Sequence, residues 1–207
     1  MLTDLPNLLT LSRIAAIPLL VAVMAVRAPW ADFAACVVFS AAAITDYFDG
    51  MVARNRRQLT DFGRMLDPIA DKLLVGVTLM LLAGHDRLSA WSLYPAIVIL
   101  LREILVSGLR EYLAGLRIGL PVTGLAKWKT GLQMGALGTL LAGDTSAILL
   151  HLQVLPVAHI GEAMLWVAAA LTLYTGWDYL KAGLRYAATP PPTNHPHTNH
   201  AHTDHAI

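Results

Sequence analysis

Four aspartates, Asp46, Asp49, Asp67 and Asp71, sit at helical spacing inside an otherwise apolar stretch. With Gly50, Ala53, Arg54 and Gly63 they form the pattern D-x-x-D-G-x-x-A-R-x(8)-G-x-x-x-D-x-x-x-D. At about 100° per residue, Asp46 and Asp49 are neighbours on one helix face. Gly63, Asp67 and Asp71 repeat at i, i+4 and i+8, a stripe along a second helix. Arg56 and Arg57 fall in the short connection, so an antiparallel helix pair is expected to bring both stripes together near the turn. Two carboxylates about 4 Å apart repel by roughly 4 kcal/mol at an effective dielectric near 20. Four cannot all stay ionised there without cations or large changes in protonation. Oxygen donors with no nearby Cys or paired His favour a hard ion, Mg²⁺ or Mn²⁺, over Zn²⁺. The chemistry expected is therefore metal-assisted and directed at phosphate, with a plain lattice of Asp–Arg salt bridges as the alternative. Gly50, Ala53 and Gly63 lie on the same faces and would let a nucleotide or phosphate approach the backbone closely.

The elements that must position these groups are membrane helices. The chain has 207 residues, of which 56% are hydrophobic and 14% charged. A soluble protein carries about 25% charge, and the mean hydropathy here is +0.56. Apolar runs, extended through the polar segments that continue them, cover 8–26, 31–54, 63–84, 91–116, 124–141 and 157–173. Each suits a hydrocarbon core of about 30 Å. The expected fold is all-α, a polytopic membrane protein with six transmembrane helices. Arg54, Arg56, Arg57 and Arg64, the segment 110–129, and Lys181 with Arg185 share one side. The opposite loops hold only Arg87 and flanking Arg27. The excess of positive residues makes the first side cytoplasmic, with both termini there. Trp30, Trp91 and Tyr94 then anchor the outer boundary.

The remaining features are simpler. No cleavage site follows the first apolar run, which is expected to be a membrane helix rather than a signal peptide. A single cysteine, Cys36, excludes an internal disulfide and is expected to pack. The formal charge of +1 gives no reason to invoke nucleic acid. His85, His151 and His159 fall near the outer side, as interfacial or loop residues. A membrane domain is expected over 1–186. The segment 187–207, with Pro190, Pro191, Pro192 and five histidines after Thr193, is expected to be a disordered tail.

All eight fixed positions of the pattern match the signature of the CDP-alcohol phosphatidyltransferase family, which this chain resembles. Beyond the signature, Leu5-Pro6-Asn7-Leu8-Leu9-Thr10-Leu11-Ser12-Arg13 looks like the opening of the family's bacterial phosphatidylglycerophosphate-forming subgroup. So do Arg102-Glu103-Ile104, Leu109-Arg110-Glu111 and Ala126-Lys127-Trp128-Lys129-Thr130 with Gln133. The resemblance implies transfer of the phosphatidyl group from CDP-diacylglycerol to sn-glycerol 3-phosphate, giving phosphatidylglycerophosphate and CMP. It implies two divalent ions on Asp46, Asp49, Asp67 and Asp71, with Asp71 as the general base. Asp46, Gly50, Ala53, Arg54 and Gly63 match positions around the cytidine diphosphate. It also implies a site facing the cytoplasm in a bacterial inner membrane, among membrane lipid. Members are commonly homodimers, although no feature of this sequence establishes that. A sister enzyme acting on inositol phosphate, serine or phosphatidylglycerol is the nearest alternative, and a divalent-cation transporter a remote one.

The residues fit such a transfer independently. Displacement at phosphorus needs charge neutralisation and positioning more than a covalent apparatus, and no Ser-His or Cys-His pair is placed to make an intermediate. An aspartate beside two cations is a weak base, so Asp71 would accept the hydroxyl proton late. The acceptor phosphate needs cations within the helices. Arg102 and Arg110 lie about 80° apart on one helix, with an internal Glu103–Arg110 salt bridge as the alternative. Lys127 and Lys129 are about 200° apart, so one is expected to meet substrate and the other to reach lipid headgroups. Lys127 is preferred and Lys129 stays open. Thr10 and Arg13, one turn apart in the first helix, are further candidates to line the site.

Overall fold

The computed structural model describes residues 5–56, 61–115, 124–149 and 156–187. Side chains are described for most of these, but not for 5–9, 29, 46–56, 61–65, 67, 126, 127, 145, 147–149, 178 and 182–187. Six helices follow one another: α1 (Leu5–Ala25), α2 (Pro29–Arg56), α3 (Asp61–Gly84), α4 (Leu93–Gly115), α5 (Gly124–Leu149) and α6 (Val157–Ala187). At about 1.5 Å per residue they run from roughly 31 to 47 Å. The described residues contain helices and no strand, so the all-α expectation holds. The tail after Ala187 lies outside the described residues.

The helix boundaries follow local chemistry. Asp86 adopts a left-handed φ of 55° just past α3. The Arg87 amide then donates to the Leu82 carbonyl at 2.9 Å and the Asp86 amide to Ala83 at 3.4 Å, the paired closure of a Schellman end. Helix α4 starts at Leu93, two residues later than expected, because Ser89 caps it. The Ser89 hydroxyl accepts from the Ser92 amide at 3.2 Å, and its carbonyl from the Leu93 amide at 3.2 Å. Pro68 inside α3 supplies no amide hydrogen, which leaves the Arg64 carbonyl without its usual helical donor. Helix α5 is two helical stretches joined at Gly143, whose φ of 57° and ψ of −179° break the repeat. That joint carries α5 beyond the expected limit at 141.

The helices close into a ring in the order α1, α2, α5, α6, α4, α3 and back to α1, and α3 also meets α5 across it. Helix α1 therefore packs against both helices that bear the aspartates. Over the described residues α2 and α3 do not pack directly, and the expected meeting of the two aspartate stripes near the turn falls on side chains outside the described ones. The connection at 57–60 lies outside the described residues. The core is built by Leu20, Phe39, Leu74, Leu82, Ile99, Leu137, Leu140 and Leu165, each at most 1% exposed. Helices α5 and α6 pack tightly at Gly161, where an added Cβ would stand 2.8 Å from Leu140 Cγ. Small residues permit this backbone contact where no water drives helices together. Cys36 is half-buried, with its Sγ 3.9 Å from Ser40 Oγ, a packing role as expected.

Outward, large apolar side chains cover the bundle. Met80, Leu101, Ile104 and Leu105 are all more than half exposed, a cost in water that disappears in lipid. The stretch Val157–Lys181 of α6 is long and apolar enough to cross a membrane. Charged residues such as Arg102, Glu103, Arg110 and Glu111 interrupt the apolar run of α4. Trp30, Trp91 and Tyr94 are exposed at one end of the bundle, with the Trp91 and Tyr94 rings 6.1 Å apart. His85 also lies there, its Nδ1 2.9 Å from the Leu81 carbonyl and its Nε2 3.0 Å from the Met24 carbonyl, joining the ends of α3 and α1. His159 is exposed on the first turn of α6, and His151 lies outside the described residues.

Candidate active site

Helix α3 is unbroken from Asp61 to Gly84, so Asp67 and Asp71 fall one turn apart on one face. Asp71 is half-buried beside the buried Ala70 and Leu74. The backbones of Asp46, Asp49, Gly50, Ala53 and Arg54 all belong to α2, and that of Gly63 to α3. The side chains of these residues and of Asp67 lie outside the described ones, so the convergence of the quartet is left to chemistry rather than to distances. Among the residues with described side chains no group of three metal-type donors occurs, and only Asp71 of the four aspartates belongs to that set.

The basic residues are resolved more sharply. Arg102 on α4 is buried to 11% exposure of its side chain, and its Nη1 lies 3.3 Å from Oε1 of Glu103. The same Glu103 oxygen accepts from Lys129 Nζ on α5, and the Lys129 side chain is 5% exposed. Asp71 of α3 and Arg102 are both close enough for their charges to act on Lys129. Three helices thus bring an arginine, a lysine, a glutamate and the last signature aspartate into one buried neighbourhood. The formal charges of Arg102 and Lys129 balance those of Glu103 and Asp71, so an anion would be held by the two cations locally and not by a net positive charge. Buried charges at membrane depth are costly and mark function.

Helix α6 supplies the far wall. Arg102 Nη2 donates to Thr175 Oγ1 at 2.9 Å, and the Arg102 guanidinium carbon stands 6.0 Å from the centre of the Tyr179 ring. Arg102 Nε, Gln133 Oε1 and Thr172 Oγ1 are buried with no protein partner. Such groups are rare in folded proteins and point to water or ligand.

The sequence candidates separate accordingly. Lys129, left open beside Lys127, turns inward to Glu103, and the preferred Lys127 has its side chain outside the described ones. Arg110 is exposed and does not join Arg102. The internal Glu103–Arg110 bridge considered as an alternative is not formed; Glu103 pairs with Arg102 and Lys129 instead. Thr10 and Arg13 are 2% and 1% exposed on α1, and each is engaged by other groups. Glu103 as the bridge and Thr172, Thr175 and Tyr179 as a polar wall carried no assignment in the sequence. Their spacing of three and four residues along an apolar helix was the available signal.

Beside this cluster, a groove of about 490 Å³ runs between α3 and α4, lined by Pro68, Ile69, Leu73, Met80 and Ile104 among others. It begins next to Asp67 and Asp71 in sequence and is bordered by Lys72, Ser107 and Glu111.

Comparison with known proteins identifies the family. The model of the CDP-alcohol phosphatidyltransferase family matches residues 3–174. A Rickettsia bellii protein named CDP-diacylglycerol–glycerol-3-phosphate 3-phosphatidyltransferase is 45% identical over 183 residues, covering 88% of this chain and 97% of the relative. Proteins of the same name from Cereibacter sphaeroides and Shigella flexneri are 39% and 41% identical, covering 88% and 86% of this chain and 96% and 94% of their own lengths. With the family model spanning five of its six helices in full and much of the sixth, the chain belongs to the CDP-alcohol phosphatidyltransferase family.

Proposed function

We propose that this protein transfers the phosphatidyl group of CDP-diacylglycerol to sn-glycerol 3-phosphate, releasing CMP and forming phosphatidylglycerophosphate. The observation that carries the acceptor assignment is the buried Arg102–Glu103–Lys129 cluster beside Asp71. A phosphorylated acceptor brings a multiply charged oxyanion to Arg102 and Lys129, a stronger match than the single carboxylate of serine. Relatives that bear this activity in their names extend over nearly the whole chain.

The acceptor hydroxyl oxygen forms a new bond to the phosphorus that carries diacylglycerol. The bond from that phosphorus to the CMP oxygen breaks, and CMP leaves with the electron pair. The hydroxyl proton passes to the Asp71 carboxylate. Arg102 and Lys129 hold the acceptor phosphate and so orient its hydroxyl; such positioning is a large part of the barrier reduction. Asp46, Gly50, Ala53, Arg54 and Gly63 surround the cytidine diphosphate, with Thr10, Arg13, Lys127 and Arg110 at the margins. Asp46, Asp49, Asp67 and Asp71 would hold two Mg²⁺ or Mn²⁺ ions, which when bound neutralise the diphosphate and the leaving CMP. The donor set fits hard ions, because every ligand is a carboxylate oxygen.

Residues 1–186 form the catalytic unit, six helices spanning a bacterial inner membrane with both termini and the site on the cytoplasmic side. Helix lengths, the apolar outer surface and the exposed aromatic residues support this. The lipid-linked donor enters sideways, a route that the apolar α3–α4 groove supports. A homodimer, the common state in the family, belongs to the same reading. The deciding experiment supplies CDP-diacylglycerol with labelled glycerol 3-phosphate, inositol phosphate or serine to purified protein. Phosphatidylglycerophosphate as the main product is expected; a labelled inositol or serine lipid would overturn the assignment.

A further inference from the structure

Arginine 102 presents five N–H donors in a planar fork, and the structure accounts for three of them. One Nη1 hydrogen goes to Glu103 Oε1 at 3.3 Å and one Nη2 hydrogen to Thr175 Oγ1 at 2.9 Å. Nε is buried without a partner and faces Gly176, where an added Cβ would stand 3.2 Å away. One hydrogen remains on each terminal nitrogen. Those two donors suit the oxygens of a phosphate monoester.

What aims the pair is α6. Thr175 gives its own hydroxyl hydrogen to the Leu171 carbonyl at 2.9 Å, so its oxygen is left as an acceptor and holds Nη2. At Gly176 the missing side chain lets the stem of Arg102 lie against the α6 backbone, because a Cβ would come within 3.1 Å of Arg102 Cγ. The atoms it would meet are near the root of the guanidinium, so a methyl group there shifts the fork by a few tenths of an ångström. The Tyr179 ring, 6.0 Å from the guanidinium carbon, limits motion on one side.

We infer that Thr175, Gly176 and Tyr179 are positioning residues that set acceptor specificity: through Arg102 they tune the site to a phosphorylated polyol over the same alcohol without phosphate. The inference deepens the acceptor assignment proposed above and rests on it.

The test compares wild type, Gly176→Ala, Thr175→Val and Thr175→Ser in full-length protein, with glycerol 3-phosphate, glycerol and CDP-diacylglycerol each varied. Valine keeps the shape of threonine and removes the acceptor oxygen; serine keeps the oxygen. The expected result is a rise of about tenfold in KM for glycerol 3-phosphate in Gly176→Ala and Thr175→Val, the size of one lost charge-assisted bond. KM for CDP-diacylglycerol should stay within about twofold, discrimination against glycerol should fall, and Thr175→Ser should restore wild-type values. Unchanged KM for glycerol 3-phosphate in both variants overturns the inference, as does an equal rise for both substrates. A wild-type enzyme that makes no product from glycerol 3-phosphate refutes the acceptor assignment itself, a separate failure.

Discussion

Glu103 of α4 and Lys129 of α5 are joined by an ion pair although, among the described residues, no Cα atom of α4 lies within 8 Å of one in α5. The ion pair therefore joins two helices that are not neighbours in the ring. Lys129 reaches toward Glu103 and Arg102 on one side, with the charge of Asp71 acting from a third helix.

Removing the shared carboxylate leaves two buried cations facing each other. Breaking a buried pair by deleting one partner costs about 3–5 kcal/mol. Glu103→Gln should therefore lower the unfolding free energy in detergent by about 3 kcal/mol. The double variant Glu103→Gln with Lys129→Met should recover part of it. Loss smaller than about 0.5 kcal/mol would mean the pair is effectively solvated.

Burial separates the two arginines of α4. Arg102 is enclosed and Arg110 exposed, so Arg102→Ala should raise KM for glycerol 3-phosphate at least about tenfold more than Arg110→Ala does. Steady-state kinetics at saturating CDP-diacylglycerol read this directly. A larger effect at Arg110 would place the acceptor phosphate nearer the helix end.

The metal assignment predicts a sharp dependence on the signature. Asp67→Asn should reduce kcat by a factor of at least about 10²–10³, the loss typical of one electrostatic stabiliser, while the protein still inserts and purifies. Chelation should abolish turnover in wild type, and Mg²⁺ or Mn²⁺ should restore it. Full activity in chelated buffer would remove the ions from the mechanism.

At the opposite end, Gly143 joins the two stretches of α5 with a φ of 57°. A Cβ there would collide with Arg87 Nη1, and Arg87 is itself paired with Asp32 of α2. Gly143→Ala should cost about 1–3 kcal/mol from backbone conformation alone and lower Tm, while KM for both substrates stays the same. Altered substrate affinity would show that this end communicates with the site.

Much of this protein is legible before folding is considered. The aspartate pattern and its hard-oxygen character come from residue type and spacing. The six helices come from apolar runs whose ends differ from the observed ones mainly where a Ser89 cap, the Gly143 joint or a long polar extension of α6 intervenes. Which cations serve the site could not be read that way. Helical angles on α4 treated Arg102 and Arg110 alike, and those on α5 could not choose between Lys127 and Lys129, because a face is only inward when a neighbour covers it. The ring order put α6 against α4, burying Arg102 on Thr175, Gly176 and Tyr179, and left Arg110 outside. The sequence by itself determined which residues can do the chemistry, since spacing along a helix is local geometry. Only the tertiary structure decided which of them meet, since long-range packing alone removes water from one face and not another.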